Sequence, residues 1–480
     1  MRKWLQSELA QNISITLVVV LAYLFCRSSG LSVQKERIQM IMLVILTIGF
    51  IYLIWNKQTI EKNIWLIIIL GMVLRMGYML YTPCNVRSHD LWEIDVNGMG
   101  HAGYLLKLLE RGRLPESNAL QLYQQPFYYM VGALVSKGIN GILGCGDSFY
   151  LVDAAKTVSC VASCISLVGC KRICEECNVY DKGQKSAIML VAFLPAFYLT
   201  GGRVNPDALA GMFMIYALLY TIRWIKKPDW ENTIILALLY GCGVMTKISC
   251  AVIALITAMV FFIILAGKIR EGRGSEVLGK YIVFGLISLP LGLWYGIRNH
   301  IKFGQPLTYV LPLDKTLSIY TGDHSLFQRF AGVDFFSLFR NPYVSLTEDY
   351  NAPVYYLKSA MFGEFSYDVS GWIPVLLLFC AAILSVWVVI ACFWQANKNR
   401  SDRFGNLMLV SAIVFYCSIL WFYCKYPFAC SMDFRYMIFM VLPLSVLFGK
   451  YREKCSENGM WIDLALWGFM LGSCLHYCTI

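Results

Sequence analysis

The sequence predicts an all-α polytopic membrane protein, and three observations carry that reading. The 480 residues are 58% hydrophobic and only 15% charged, whereas soluble domains are about a quarter charged. About thirteen apolar runs approach the ~20 residues needed to cross a ~30 Å hydrocarbon core. Basic residues fall in short loops between those runs, as orientation in a bilayer requires. The net charge of +11 is therefore no nucleic-acid footprint, which would need clustering on a soluble surface.

In chain order the runs are 9–26, 38–55, 64–81, 150–174, 186–202, 205–224, 232–247, 249–267, 281–299, 372–394, 406–424, 434–450 and 460–478. The first lacks a small-residue cleavage site and reads as a retained span rather than a signal peptide. Segment 121–143 is ambiguous, since it opens on Gln121, Gln124, Gln125 and Pro126 and carries Lys137. Charge bias decides it. With 121–143 lying along the outer interface, the basic loops share one side: Arg2/Lys3, Lys57/Lys62, Lys171/Arg172/Lys182/Lys185, Arg223/Lys226/Lys227, Lys268/Arg270/Arg273/Lys280, Lys398/Arg400/Arg403 and Lys450/Arg452/Lys454. Counting it as a span inverts everything after it. Arg27, Lys35 and Arg37 are the exceptions, left outside. The expected topology has a cytoplasmic N-terminus and an outward-facing C-terminus.

Four polar elements then share the outer face: Arg87 to Tyr129, the turn Gly201 to Asp207, the turn at Lys247, and the long segment Asn299 to Gly371. The last is too long for an idle connection and is expected to form a small cap. The corresponding division is an N-terminal hairpin (1–60), a transmembrane module with its first outer loop (61–300, loop 82–149), a loop or cap (301–371) and C-terminal helices (372–480). Arg75 interrupts a span, an insertion costing about 2.5–3.5 kcal/mol at a helix centre, and Asp153 is a candidate partner. Most of the eighteen cysteines lie in apolar runs, where Cys behaves as a small hydrophobe. Cys174 and Cys177 form a C-x-x-C without the second pair that a metal or redox role would need.

The outer face holds the candidate chemistry. Asp90 and Asp95 precede a helix expected near Gly100, and a carboxylate at a membrane boundary suits a general base. Solvation or helix capping accounts equally for such acids. His89, Asp90, Glu93 and His101 could also ligate a divalent cation, although their spacing matches no helical ligand pair. In GGRVNPDALAG, Asn205 could cap a helix with Pro206 and Asp207 in its first turn, and Asp207 would share the face of Asp90. Arg203, Lys247, Arg298 and Arg435 lie on that face too. Each could snorkel to headgroups or neutralise a departing phosphate. Lys247 stands out, separating two apolar runs with almost no loop.

Taken together, RSHD, GHAGYLLKLLERGRLP, QPFYY, GGRVNPDALAGMF, GVMTKIS, WYGIRNHIKFGQPLTYV and SMDFRY resemble, in order, motifs of the GT-C glycosyltransferases. The nearest likeness is to bacterial relatives of the dolichyl-phosphate-mannose protein mannosyltransferases and the aminoarabinose transferases. The resemblance covers roughly 64–310 and 425–450. It implies a GT-C fold that inverts the anomeric centre while moving a sugar from a polyprenyl-phosphate donor to an acceptor on the outer face. It also implies Asp90 (or Asp95) as base, Asp207 as a second acid, and Lys247, Arg298 and Arg435 toward the donor phosphate. His89, His101, Tyr104, Gln125, Tyr128 and Asn205 then become acceptor or pocket candidates. Three departures mark the sequence. Gly100-His101 stands where relatives carry Asp-Glu, Gln125 and Phe127 replace His and Leu of the family's HPPLYY, and Pro206 replaces a second Asn.

The implied chemistry agrees with composition. A sugar phosphate is already activated, so the protein must orient a hydroxyl, take its proton and neutralise phosphate. No nucleotide-binding glycine loop is present. The expected setting is a bacterial inner membrane, with a lipid, protein or cell-wall glycan acceptor, no certain cofactor beyond a compatible divalent cation, and no nucleic acid. The rival readings are a transporter or flippase of lipid-linked sugars, which would place its polar site at mid-membrane, and a catalytically inactive relative.

Overall fold

A computed structural model describes residues 2–55, 59–332, 337–338, 349–364, 371–455 and 459–480. Lys57 and three stretches of the expected cap (333–336, 339–348 and 365–370) lie outside these residues. The described chain is helical, and its one β pairing among the described residues is an isolated antiparallel bridge between Tyr320 and Phe428. Nine helices among the described residues are long and apolar enough to cross a membrane. The remaining four runs read from the sequence are also helical. Segment 186–202 is broken at Leu194, between Asp181–Phe193 and Pro195–Gly201, and Trp230–Thr246 has 17 residues. Segment 434–450 begins with two short 3₁₀ turns, and Gly459–Thr479 is a 21-residue helix.

The chain divides into two compact units. The first comprises 1–38, 75–169 and 200–311. Its polar loop is built on two amphipathic helices, Gly100–Arg111 and Phe127–Leu143. Both end at a glycine in the left-handed region, Gly112 (φ 61°) and Gly144 (φ 65°), where a side chain would be strained. At 17 residues the second helix is about 25 Å long, short of a full crossing. Leu134 and Ile142 stay exposed along it, while Tyr128, Tyr129 and Gly132 are buried. That is the amphipathic pattern of an interfacial helix. Tyr104, Leu105, Leu122, Tyr128, Tyr129, Val152, Val204 and Ala208 meet in one core, so the loop helices pack on the starts of the spans.

Buried charges in this unit are paired. Asp153 accepts from the Tyr23 hydroxyl (2.8 Å) and the Cys84 backbone N–H (2.9 Å), and its carboxylate lies 2.7 Å from the Lys156 ammonium. Lys156 also donates to the Thr82 (2.6 Å) and Met79 (3.1 Å) carbonyls. One ion pair thus ties the first helix, the start of the polar loop and a span together. Arg75 meets Ser163 through Nε (3.0 Å) rather than forming the expected pair with Asp153, whose oxygens are already engaged. A forked pair between Arg223 and Glu8 (2.7 and 3.3 Å) joins two other helices.

The second unit comprises 39–74, 170–199 and 312–480. Here Asp181–Phe193 crosses Val441–Lys454 so closely that a Cβ on Gly183 would sit 2.5 Å from the Gly449 carbonyl oxygen. Asp402 caps Arg403–Lys425 through the Phe404 and Gly405 N–H groups and pairs with Lys450 at 2.7 Å. Lys358 and Asp349 form a fully buried pair at 2.5 Å.

Because Lys156 neutralises a buried acid, replacing it strands that charge. Lys156→Met is expected to cost about 3–5 kcal/mol, read as a lowered thermal midpoint of the detergent-solubilised protein. Adding Asp153→Asn should recover much of the loss.

Candidate active site

The first outer loop is held in an uncommon backbone conformation. Arg87 (φ 49°), Asp90 (φ 57°) and Trp92 (φ 59°) all occupy the left-handed region, which non-glycine residues seldom enter. The reason is visible at the following helix. The Asp90 carbonyl accepts from the His101 N–H (2.9 Å) and the Leu91 carbonyl from the Ala102 N–H (3.2 Å). The loop therefore satisfies donors that a helix start leaves open. Gly100 and Gly103 make this crossing feasible. A Cβ at Gly100 (φ 70°) would lie 2.5 Å from the Asp90 carbonyl oxygen, and one at Gly103 would lie 2.2 Å from that of Gly98. The GHAG motif is thus the footing on which Asp90 stands.

The Asp90 side chain is exposed and lines a cavity of about 310 Å³ with Asn85, Ser88, Leu91 and Trp92. Asp95 is exposed too, but its carboxylate accepts from the Asn97 N–H (2.7 Å) and closes a local turn. Tyr123 carries a hydroxyl pushed up to about 12 by burial first and then by the nearby Asp90 charge. His89 is half-buried, as is Gln125, whose neighbour Gln124 accepts from Tyr129 at 3.2 Å.

Behind the loop lies a continuous buried network. Asp207, 5% exposed, is ion-paired with Lys247. Its N–H donates to Asn205 Oδ1 (2.8 Å), the helix-start role the sequence suggested, with the helix running from Asp207. Asn205 Nδ2 meets His101 Nε2 (3.4 Å), and His101 Nδ1 meets the Tyr129 hydroxyl (2.7 Å). On the other side, the Tyr128 hydroxyl accepts from the Asn205 N–H (3.1 Å) and contacts Ser159 (3.1 Å), while Ser159 donates to the Asn205 carbonyl (3.2 Å). Tyr104 stacks on Tyr129 with ring centroids 3.8 Å apart, and its hydroxyl reaches Tyr295 at 3.1 Å. Burial raises the phenols of Tyr104, Tyr128 and Tyr129, so all three stay neutral hydrogen-bonding groups.

The basic candidates part company. Lys247 sits in extended backbone (φ −157°, ψ 131°) between two helices, with its side chain 21% exposed. The side chain is thus partly exposed while its ammonium pairs with the buried acid. Arg298 donates to the Pro115 carbonyl (2.9 Å) and to Asn299 Oδ1 (2.8 Å), and Asn299 in turn donates to the Tyr123 carbonyl (3.1 Å). Arg435 belongs to the second unit, where its guanidinium lies 3.3 Å from Asp433 and donates to the Tyr436 hydroxyl at 3.2 Å.

His101, Asn205, Asp207, Lys247, Tyr104 and Tyr128 are thus brought together, and Asp90 is anchored to the same cluster through the His101 main chain. Asp95 is a turn former. The proposed cation cluster loses a member, because Tyr129 and Asn205 occupy both His101 ring nitrogens. His89, Asp90 and Glu93 do not bring their ligand atoms close enough together to hold one ion either. The sequence reading missed Tyr129, Ser159 and Tyr295. Tyr129 sat within the QPFYY motif, while Ser159 lay inside an apolar run with nothing to mark it.

Comparison with known proteins gives consistent findings. Residues 152–294 match the family model described as dolichyl-phosphate-mannose-protein mannosyltransferase. A search of curated protein sequences returns no match. Among solved structures the chain is similar to an Archaeoglobus fulgidus oligosaccharyltransferase complexed with Zn and sulfate. Identity is 12% and the TM-score 0.48, over 86% of this chain and 53% of that one. It is also similar to the oligosaccharyltransferase AglB of the same organism, in complex with an inhibitory peptide and a dolichol-phosphate. There the identity is 13% and the TM-score 0.48, over 88% and 56%. The chain spans about half the length of these archaeal proteins.

Gly103→Ala tests the loop's footing. The obstruction is a backbone carbonyl, so the loop must move, at about 1–3 kcal/mol. The expected result is a lower thermal midpoint with faster proteolysis between residues 82 and 100, whereas Gly138→Ala, with open space around its Cβ position, should leave both unchanged.

Proposed function

The chain being a GT-C membrane glycosyltransferase whose segment 152–294 matches the dolichyl-phosphate-mannose-protein mannosyltransferase family, we propose that it transfers a sugar from a polyprenyl-phosphate donor to an acceptor on the extracytoplasmic face. The observation that carries this reading is the partly exposed Lys247 side chain, paired with buried Asp207 and hung on the Asn205–His101–Tyr129 network. A cation held at a span boundary by a buried acid is pre-organised for a phosphate arriving from the bilayer.

In this reading the acceptor hydroxyl enters the cavity beside Asp90. Asp90 takes its proton as the acceptor oxygen bonds to the anomeric carbon. The bond from that carbon to the phosphate oxygen breaks on the opposite side, and the polyprenyl phosphate leaves with the electron pair. The configuration inverts. Lys247 meets the charge developing on phosphate, where a fixed cation contributes most. Asp207 keeps Lys247 in place and orients the acceptor through the network. Arg298 uses two of its five N–H donors on Pro115 and Asn299. The rest are available to phosphate while the residue fixes the loop around Tyr123. The half-buried His89 and Gln125 are proposed to complete the acceptor surface. A bacterial inner membrane and a lipid, protein or cell-wall glycan acceptor fit this chemistry. A divalent cation is compatible with it and is not needed for the steps above.

The test is transfer from a short-chain polyprenyl-phosphate sugar by the purified protein. Asp90→Asn is expected to lower kcat by about 10²–10⁴-fold with donor binding and thermal midpoint preserved, whereas Asp95→Asn should keep most activity. Lys247→Met should weaken both donor binding and turnover. Full activity of Asp90→Asn would defeat the assignment of the base.

A further inference from the structure

In the second unit several helices begin or end at one level, and a cleft opens there. Lys450 ties this end together, pairing with Asp402 at the start of Arg403–Lys425 (2.7 Å) and donating to the Cys177 carbonyl (2.6 Å). A cavity of about 1050 Å³ lies at the same end. Its walls include Ile60, where the span Ile60–Tyr81 starts, Asp181 and Lys182, which open Asp181–Phe193, and Arg452 and Glu453, which close Val441–Lys454. It shares Lys182, Asp463 and Trp467 with a narrower cavity of about 170 Å³ that reaches Lys185.

The charges on these walls are sorted by depth. Arg452, 6% exposed, grips both carboxylate oxygens of Asp463 (2.9 and 3.3 Å), so those two cancel. Lys182, Lys185, Asp181 and Glu453 have no ion-pair partner among the described residues. The two lysines are three residues apart on one helix and therefore share a face. Both line the narrower cavity, with the Lys185 ammonium 5.3 Å from the Trp467 ring centre. The two acids line only the wider one. Glu453 accepts from the Tyr180 N–H (2.6 Å), and its carboxyl is pushed above the usual range by partial burial first, with nearby Asp181 adding to the push. Lys185 is four residues further along its helix than Asp181, about 6 Å deeper. Cations lie inward and acids outward.

That order selects the occupant. An anion alone would face the two acids, and a cation alone would face the two lysines. A zwitterion satisfies both, provided that its negative group is the deeper one. A phospholipid headgroup has this polarity, with phosphate next to the hydrocarbon and ammonium toward water. The cleft also leads to a lipid-facing surface. Met460 and Leu464 in its wall, and Leu471 beyond it, are exposed along one face of Gly459–Thr479, a stripe suited to acyl chains.

We propose that this cleft binds the headgroup of a zwitterionic phospholipid with a primary ammonium, its phosphate against Lys182 and Lys185 and its ammonium against Asp181 and Glu453. A primary ammonium donates charge-assisted hydrogen bonds to carboxylates, which a quaternary one cannot. The proposal rests on the second unit alone and is independent of the transfer reaction.

The experiment reads retained lipid by native mass spectrometry of the full chain. The protein is delipidated in mild detergent and offered phosphatidylethanolamine, phosphatidylcholine or phosphatidylglycerol with identical acyl chains. Wild type is expected to retain phosphatidylethanolamine about fivefold better than either of the others. Asp181→Asn with Glu453→Gln should erase the preference over phosphatidylcholine, while Lys182→Gln with Lys185→Gln should lower retention of both. Equal retention of phosphatidylethanolamine and phosphatidylcholine by wild type would overturn the proposal, as would a preference for phosphatidylglycerol. Displacement by equimolar glycerophosphoethanolamine, which has the headgroup but no chains, would overturn it too. The wild-type comparison is decisive even if a variant does not fold.

Discussion

The architecture of the site depends on one charge held at a boundary. An ammonium at the end of a span is expensive where lipid begins, and Lys247 is kept there by the buried carboxylate of Asp207. That carboxylate needs support in turn. Asn205 takes its backbone N–H, His101 takes the Asn205 amide, and Tyr129 takes the His101 ring. Each link is buried, so each needs its neighbour to avoid an unmade hydrogen bond. The chain of contacts runs through four separate stretches of sequence. It converts an unstable isolated charge into a fixed feature of the site.

Asp90 is held differently, and the difference matters for chemistry. Its carbonyl is locked to the start of the Gly100–Arg111 helix, yet its side chain faces water and forms part of the cavity wall. A base must be positioned but also free to exchange protons, and this residue has its main chain constrained and its carboxylate open. Asp207 is the reverse, buried and already paired. The two acids thus differ in the way the proposed roles ask: Asp90 is exposed, and Asp207 is buried and ion-paired. His101 joins them, through its backbone to one and its ring to the other's support.

Much of this was legible in the sequence because it concerned rules that act locally or along the bilayer normal. Hydropathy marked the apolar helices, and Gln124, Gln125 and Pro126 precede the amphipathic helix Phe127–Leu143. Asn-Pro-Asp announced a helix start, and Asn205 does serve the Asp207 N–H. What sequence reasoning could not supply were pairings across distance. Asp153 was one candidate partner for Arg75, but Tyr23, Cys84 and Lys156 fill that carboxylate. His101 looked like a ligand because its partners, Tyr129 and Asn205, lie 28 and 104 residues away.

The replacement of an Asp-Glu pair by Gly100-His101 follows from the same packing. The loop crosses the helix start so closely that the Asp90 carbonyl oxygen would lie 2.5 Å from any Cβ at position 100. An acid could not occupy that position without lifting the loop. The next position is fully buried between Asn205 and Tyr129, where a carboxylate would face two neutral groups and pay heavily for desolvation. An imidazole can donate at one nitrogen and accept at the other, so it bridges an amide and a phenol without bringing a charge. With both positions closed to acids, the proposed reaction draws its carboxylate from the loop itself. Asp90 is the loop acid whose backbone the helix start already holds in place.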